Sequence, residues 1–192
     1  MIYRIVVIIV IILATVAYSI QQKKSIEENL VSDAKSESVL ARLPSVQFET
    51  LDKKPFSIDE YYSTQSPGLV MVHFWGTWCA PCEAELPELL SLINHFQGQS
   101  QIKFLLVAVN DEVLKIEKHL KKFGVSPNAN VIWLLDNNNA YRDMFGTTRV
   151  PETFVFSSDK TTLRKFIGPQ NWNKTEYFQT FDELLQISTR KL

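Results

Sequence analysis

The period of the apolar positions changes several times along the chain, and each change marks an element. The first apolar run, IVVIIVIILATVA at residues 5–17, has no polar face, and Tyr18-Ser19-Ile20 extend it. Sixteen residues at 1.5 Å each span roughly 24 Å, near the lower limit for a hydrocarbon core of roughly 30 Å. Such a run at a terminus reads as a cleaved signal or a retained anchor rather than a core helix. Thr15-Val16-Ala17 is the nearest cleavage site and not a clean one, so residues 1–20 are read as an N-terminal anchor, a transmembrane helix, with a cleaved signal segment as the alternative. Residues 21–42, QQKKSIEENLVSDAKSESVLAR, are polar and read as a tether. The folded domain is assigned to 43–192. Val46, Phe48 and Thr50 alternate with Ser45, Gln47 and Glu49, which predicts a half-buried strand. A turn at 51–55 and a partner strand at 56–58 complete a hairpin, and a short helix follows around 59–62.

Next comes the stretch LVMVHFWGTWCAPCEAELPELL, residues 69–90. Leu69–Trp75 is apolar, β-branched and aromatic behind Pro67-Gly68, the signature of a strand buried on both faces. After Gly76-Thr77-Trp78 the period becomes helical, with Leu86, Leu89, Leu90 and Ile93 on one side and Glu83, Glu88 and Asn94 on the other. IKFLLVAV at 102–109 is another buried strand. Asp111 is read as the cap of a helix with Val113, Ile116, Leu120 and Phe123 inward and Gly124 as its end. Residues 131–135 form a strand and 140–145 a short helix. Residues 153–157 and 163–167 pair antiparallel around Ser158-Asp159-Lys160, and a last helix from about Asn173 buries Tyr177, Phe181, Leu184 and Leu185. Strands alternating with helices predict an α/β domain with a mixed central sheet flanked by helices.

Composition narrows the chemistry. A net charge of −1 makes no electrostatic case for nucleic acid. The chain has two cysteines, both in Cys79-Ala80-Pro81-Cys82, so no pair is left over for a structural staple. His73, His95 and His119 are scattered and complete no zinc set, and Glu83 stands where a c-type haem site needs histidine, so no metal or other cofactor is expected. The cysteines sit where a strand hands over to a helix. There the free N–H groups and the positive end of the dipole favour a thiolate, and the Cys79 thiol should ionise below its free value of roughly 8.5. Pro81 is tolerated in a first turn. The expected reaction is dithiol–disulfide exchange: Cys79, the more exposed thiol, attacks a partner's disulfide, and Cys82 resolves the mixed disulfide. Glu85 follows Cys82 by one turn, on its face of the helix. A carboxyl partly buried there, near the disulfide, should titrate above its ordinary range and take the Cys82 proton; the alternative is a solvated helix glutamate like Glu83 and Glu88. Trp78 is expected as an exposed platform beside the thiol.

FWGTWCAPC followed by EAELPEL, with VPETF at 150–154, resembles the thioredoxin superfamily. It is most similar to the membrane-anchored, extracytoplasmic TlpA, ResA and CcmG-type thiol–disulfide oxidoreductases. The resemblance runs from about Leu43 to the C-terminus. It implies a thioredoxin-like fold with an N-terminal β-hairpin and a helix–strand unit inserted at 111–139. It implies a cis Val150–Pro151 bond facing the cysteines, with backbone groups at Val150 pairing with an extended client segment. It supports the proton-accepting role of Glu85. Thioredoxin carries a buried aspartate where this chain has His73, so the aspartate's proton-transfer role does not carry over; His73 either replaces it or is a buried, hydrogen-bonded strand histidine.

The resemblance also implies a single N-terminal anchor in the bacterial inner membrane, with the catalytic domain in the periplasm. The expected reaction is reduction of disulfides in client proteins, in cytochrome c or oxidase assembly, with a transmembrane thiol donor restoring the Cys79–Cys82 dithiol. A disulfide oxidase or isomerase of secreted proteins and a redox-silent binding module are the alternatives. A peroxidase is disfavoured, because Gly76 and Val72 stand where its P-x-x-x-T-x-x-C motif needs threonine and proline.

Overall fold

The domain opens with two short strands, β1 (Gln47–Thr50) and β2 (Pro55–Ser57), paired antiparallel with Phe48 opposite Phe56. The computed structural model describes residues 40–189 and the isolated positions Tyr3, Thr15, Tyr18, Gln21 and Gln22. The transmembrane helix expected over 1–20 and the tether expected over 21–42, except its last residues 40–42, therefore lie outside the described residues, apart from those five positions. No helix among the described residues is long and apolar enough to cross a membrane. Leu40–Leu43 pair with the domain's last hairpin: Leu43 N–H donates to the Lys160 carbonyl at 2.9 Å and Thr162 N–H to that of Ala41 at 3.0 Å.

Helix α1 runs over Ile58–Gln65, longer than the expected 59–62. Ser57 caps it by accepting from Glu60 N–H, and Asp59 and Glu60 suit the positive end of the dipole. Then follow β3 (Leu69–Trp75), α2 (Ala80–His95), β4 (Ile102–Val109), α3 (Val113–Lys122), β5 (Val131–Asp136), α4 (Ala140–Asp143), β6 (Glu152–Ser157), β7 (Thr162–Ile167) and α5 (Thr175–Thr189). Among the described residues the strands form one sheet in the order β2-β1-β5-β4-β3-β6-β7. β3, β4 and β5 are mutually parallel, and β1, β6 and β7 run antiparallel to their neighbours. The hairpin, the helix–strand unit α3–β5 and the mixed sheet are those expected.

Strand alternation divides the core into two layers. Leu69, Met71 and Trp75 of β3 face α2, α3 and α5 and join a cluster with Leu89, Ile93, Ile116, Phe181 and Leu184. Val70, Val72 and Phe74 face the other way, against Ile58, Tyr62, Phe145 and Phe154. β3 is buried along its whole length, and α2 emerges at its C-terminal end.

Asp111 departs from expectation. The N-cap of α3 is Glu112, which makes no side-chain capping bond. The Asp111 carboxylate instead accepts from Thr77 N–H at 2.6 Å, Thr77 Oγ1–H at 2.9 Å and Glu112 N–H at 2.8 Å. A turn at the end of β3 that leads into a helix leaves its N–H groups without strand partners, and the nearest carboxylate takes them. Hydrogen bonds to a charged group are worth about 1.5–3 kcal/mol each, less than additively. Asp111→Ala should therefore lower stability by about 2–3 kcal/mol in urea denaturation. A loss below ~0.5 kcal/mol would mean the carboxylate does not hold the turn.

Candidate active site

Cys79 and Cys82 are joined as a disulfide, S–S 2.09 Å, at the mouth of α2. Cys79 is the N-cap: its backbone is extended and its sulfur accepts from Cys82 N–H at 3.2 Å. Its carbonyl receives Glu83 N–H at 3.0 Å, which starts the helical ladder. Pro81 lies in the first turn, and Pro87 sits inside the helix. The sulfur of residue 79 is thus held against an unpaired helix N–H, the place where an anion is stabilised.

Cys79 retains 5% of its surface and Cys82 2%; the order is as expected, but both are covered. The cover comes from the Val150–Pro151 turn across the sheet. Its peptide bond is cis, and the Val150 carbonyl oxygen lies 3.7 Å from Cys79 Sγ. Pro151 is buried and Val150 half-buried. Trp78 is 59% exposed beside the disulfide, and its Nε1–H donates to the Val109 carbonyl at 3.0 Å. Gly76 makes room for the indole, since a Cβ there would stand 2.7 Å from Trp78 Nε1.

Glu85 is not a solvated helix glutamate. It is 4% exposed, one turn beyond Cys82 and on the sheet-facing side of α2. Its Oε2 accepts from Gln170 N–H at 2.8 Å and Trp172 Nε1–H at 3.0 Å. Trp172 is held in turn by Phe166 and Tyr177, with ring centroids 5.2 and 5.0 Å away. Oε1 makes no hydrogen bond and lies 3.5 Å from His73 Nε2. His73 is 2% exposed, with Nδ1 2.8 Å from Thr153 Oγ1 on the neighbouring strand. The role of Gln170, Trp172 and Thr153 escapes sequence reading, because two of them come from the segment after β7. The meeting of His73 with Glu85 was accessible in principle: alternation puts His73 on the face of Met71 and Trp75, which α2 covers.

Burial sets both titrations. It pushes the Glu85 carboxyl up from 4.5 to about 7, against the pull of the Gln170 and Trp172 bonds and with a push from Glu88. It pushes the His73 imidazole down from 6.5 to about 3. The two are therefore not an ion pair at neutral pH, despite their 3.5 Å approach. Between pH 4.5 and 6.5 the folded pair holds one proton, on Glu85, and the unfolded pair also holds one, on His73. Equal proton counts mean no slope of stability there. Below 4.5 the unfolded chain holds the extra proton, so stability is lost as pH falls towards 3. Above 6.5 the folded chain holds it, so stability falls as pH rises towards 7. His73→Leu removes the histidine's share. The stability of wild type minus that of the variant should rise with pH by about 1.4 kcal/mol per unit between 4.5 and 6.5. Urea midpoints across a pH series check this, and a flat difference would contradict it.

A disulfide at the beginning of a helix, covered by a cis-proline turn of a mixed sheet, defines a thiol–disulfide oxidoreductase of thioredoxin-like fold. The chain belongs to the Redoxin family, whose profile matches residues 39–184. It is similar to the thiol–disulfide oxidoreductase ResA of Geobacillus thermodenitrificans (strain NG80-2), 26% identical over 162 residues, 84% of each chain. The ResA of Bacillus subtilis (strain 168) is 27% identical over 99 residues, about half of either chain at 52%. Among solved structures, StoA from Bacillus subtilis superposes with a TM-score of 0.55 at 19% identity, covering 76% of this chain and 98% of its own. A thioredoxin-family thiol:disulfide interchange protein from Chlorobium tepidum TLS gives 0.55 at 22% identity, covering 80% and 99%. At these identities the two structures speak for the fold.

Proposed function

We propose that the chain reduces disulfides in client proteins outside the cytoplasm, held at the bacterial inner membrane by residues 1–20. The observation that carries the reading is the placement of Cys79 Sγ: it caps a helix and faces the carbonyl that precedes a cis proline. In the dithiol form, Cys79 loses its proton and attacks a client disulfide. One client sulfur joins Cys79 and the other leaves as a thiolate. Cys82 then gives its proton to Glu85 and attacks Cys79, which expels the second client thiolate and closes the Cys79–Cys82 disulfide. The client is reduced by two electrons and the enzyme oxidised by two, so a thiol donor, on this reading a transmembrane one, must restore the dithiol.

Trp78 and the Val150–Pro151 turn form the docking edge, with the Val150 backbone pairing with an extended client segment. No further cofactor enters this scheme. The similarity to ResA proteins supports the class of reaction. Periplasmic facing and clients in cytochrome c or oxidase assembly belong to this proposal and rest on the family resemblance. The test is the reduction potential of the pair, with fractionation of cells expressing the whole chain. A value near thioredoxin's roughly −270 mV and recovery with membranes support the reading. A value near roughly −120 mV makes the protein an oxidant of secreted chains instead.

A further inference from the structure

Glu85 and His73 are buried together, and their hydrogen-bonding options are unequal. Oε2 of Glu85 meets two fixed donors, Gln170 N–H and Trp172 Nε1–H. A hydroxyl on that oxygen would point at N–H groups, so a proton carried by Glu85 belongs on Oε1. Oε1 has no hydrogen bond and faces His73 Nε2 at 3.5 Å, a gap that a small side-chain movement closes. The far ring nitrogen, Nδ1, is 2.8 Å from Thr153 Oγ1, and a hydroxyl can donate or accept. A neutral imidazole has one N–H and one lone pair, and either nitrogen can carry either.

We infer that His73 is the tautomeric partner of Glu85: its proton sits on Nε2 while Glu85 is a carboxylate, and on Nδ1 when Glu85 is protonated at Oε1. In the base form, Nε2–H points to Oε1 and the Thr153 hydroxyl donates to Nδ1. In the acid form, Oε1–H points to Nε2, and Nδ1–H donates to Thr153 Oγ1. The base form carries protons at Nε2 and Thr153 Oγ1; the acid form carries them at Oε1, Nδ1 and Thr153 Oγ1. The two differ by one proton, the one Cys82 gives up. The ring stays neutral throughout. A fixed donor facing Oε1 would offer no bond to the acid form, and a fixed acceptor would offer none to the base form; a tautomeric ring bonds both. His73 is thus a positioning residue acting through Glu85, and its use in catalysis rests on the exchange scheme above.

Among the described residues, the titratable groups beside the pair include Cys82 and Glu88 on α2 and Tyr177 on α5, whose hydroxyl donates to Gln170 Oε1 at 2.7 Å. Glu152 and Lys165 pair at 2.8 Å on the opposite face of the sheet.

The test is long-range proton–nitrogen correlation of the His73 ring in the reduced, nitrogen-15-labelled full chain, from about pH 5 to about pH 9. The expected result is an exchange of protonated character from Nδ1 to Nε2 as pH rises through the Glu85 titration, and a single fixed tautomer in Glu85→Gln. A wild-type ring that keeps one tautomer throughout, or that becomes doubly protonated in this range, overturns the inference. A kinetic arm keeps it separate from the exchange scheme. His73→Leu removes a bond from each form, and the Nε2–H bond to the carboxylate, being charge-assisted, is the stronger of the two, so the midpoint of the pH profile for resolving a Cys79 mixed disulfide should move upward by about one unit, while His73→Gln, which retains a neutral donor, should move it less. Normal exchange with a fixed tautomer refutes the pairing alone. A tautomer that follows Glu85 in a protein without exchange refutes the proposed function alone.

Discussion

Cys82→Ser should turn the enzyme into a trap, and Cys79→Ser should abolish both exchange and trapping. The asymmetry follows from the helix cap. Cys79 Sγ receives Cys82 N–H at 3.2 Å, so residue 79 carries the stabilised anion. The main-chain N–H that holds it is still present when residue 82 is serine. Attack on a client disulfide therefore survives in Cys82→Ser, but nothing can expel the client from Cys79, and covalent adducts accumulate. Mass spectrometry of adducts resolved without reductant identifies the clients and the linked cysteine. In Cys79→Ser the remaining sulfur is 2% exposed and turnover should fall to the uncatalysed rate. Adducts forming equally through either cysteine would reverse the assignment. So would alkylation of reduced Cys79 at neutral pH no faster than that of an ordinary exposed thiol. The slight exposure of Cys79, 5%, makes the outcome informative: a client segment must reach the sulfur between Trp78 and the Val150–Pro151 turn.

Glu85→Gln should slow resolution of the mixed disulfide by about 100-fold near pH 7 and leave the first attack by Cys79 unchanged. A carboxyl brought to about 7 by burial is split between its acid and base forms at neutral pH, the best position for accepting a proton and passing it on. Glutamine keeps the shape and can still accept from Gln170 N–H and Trp172 Nε1–H, but it cannot take the proton. The defect should shrink at high pH, where hydroxide removes the Cys82 proton unaided. Rapid-quench measurement of attack and resolution as separate steps checks this. An equal loss in both steps, or a loss that persists in strong alkali, would point to misplacement of α2 rather than to a missing base. Conversion of Glu85 to aspartate, which retains the acid on a shorter stem, should recover part of the rate.

Much of this was legible in order along the chain. The seven apolar residues of β3, the helical phase after Cys79 and the closing hairpin are local signals, because burial on two faces and burial on one face leave different periods. The cysteines were legible as chemistry because they were the only two and stood at a strand–helix junction. The apolar run at 5–17 was equally plain, though it lies outside the described residues. Asp111 misleads because its spacing from the next apolar residues suits a cap, and nothing local shows that Thr77, 34 residues earlier, has unpaired donors to satisfy.

The order of apolar and polar residues, by itself, determined which segments are strands and which are helices, and that a dithiol sits at the first turn of one of them. Period and composition act over a few residues, and these features need nothing more. The tertiary structure alone decided how covered Cys79 is, that Glu85 is a buried carboxyl rather than a surface one, and that His73 is its neighbour. Each of these depends on segments far apart in the chain, namely β3, α2, the cis-proline turn and the stretch carrying Gln170 and Trp172. Their approach removes water from a carboxyl and an imidazole together, and that desolvation moves their proton affinities.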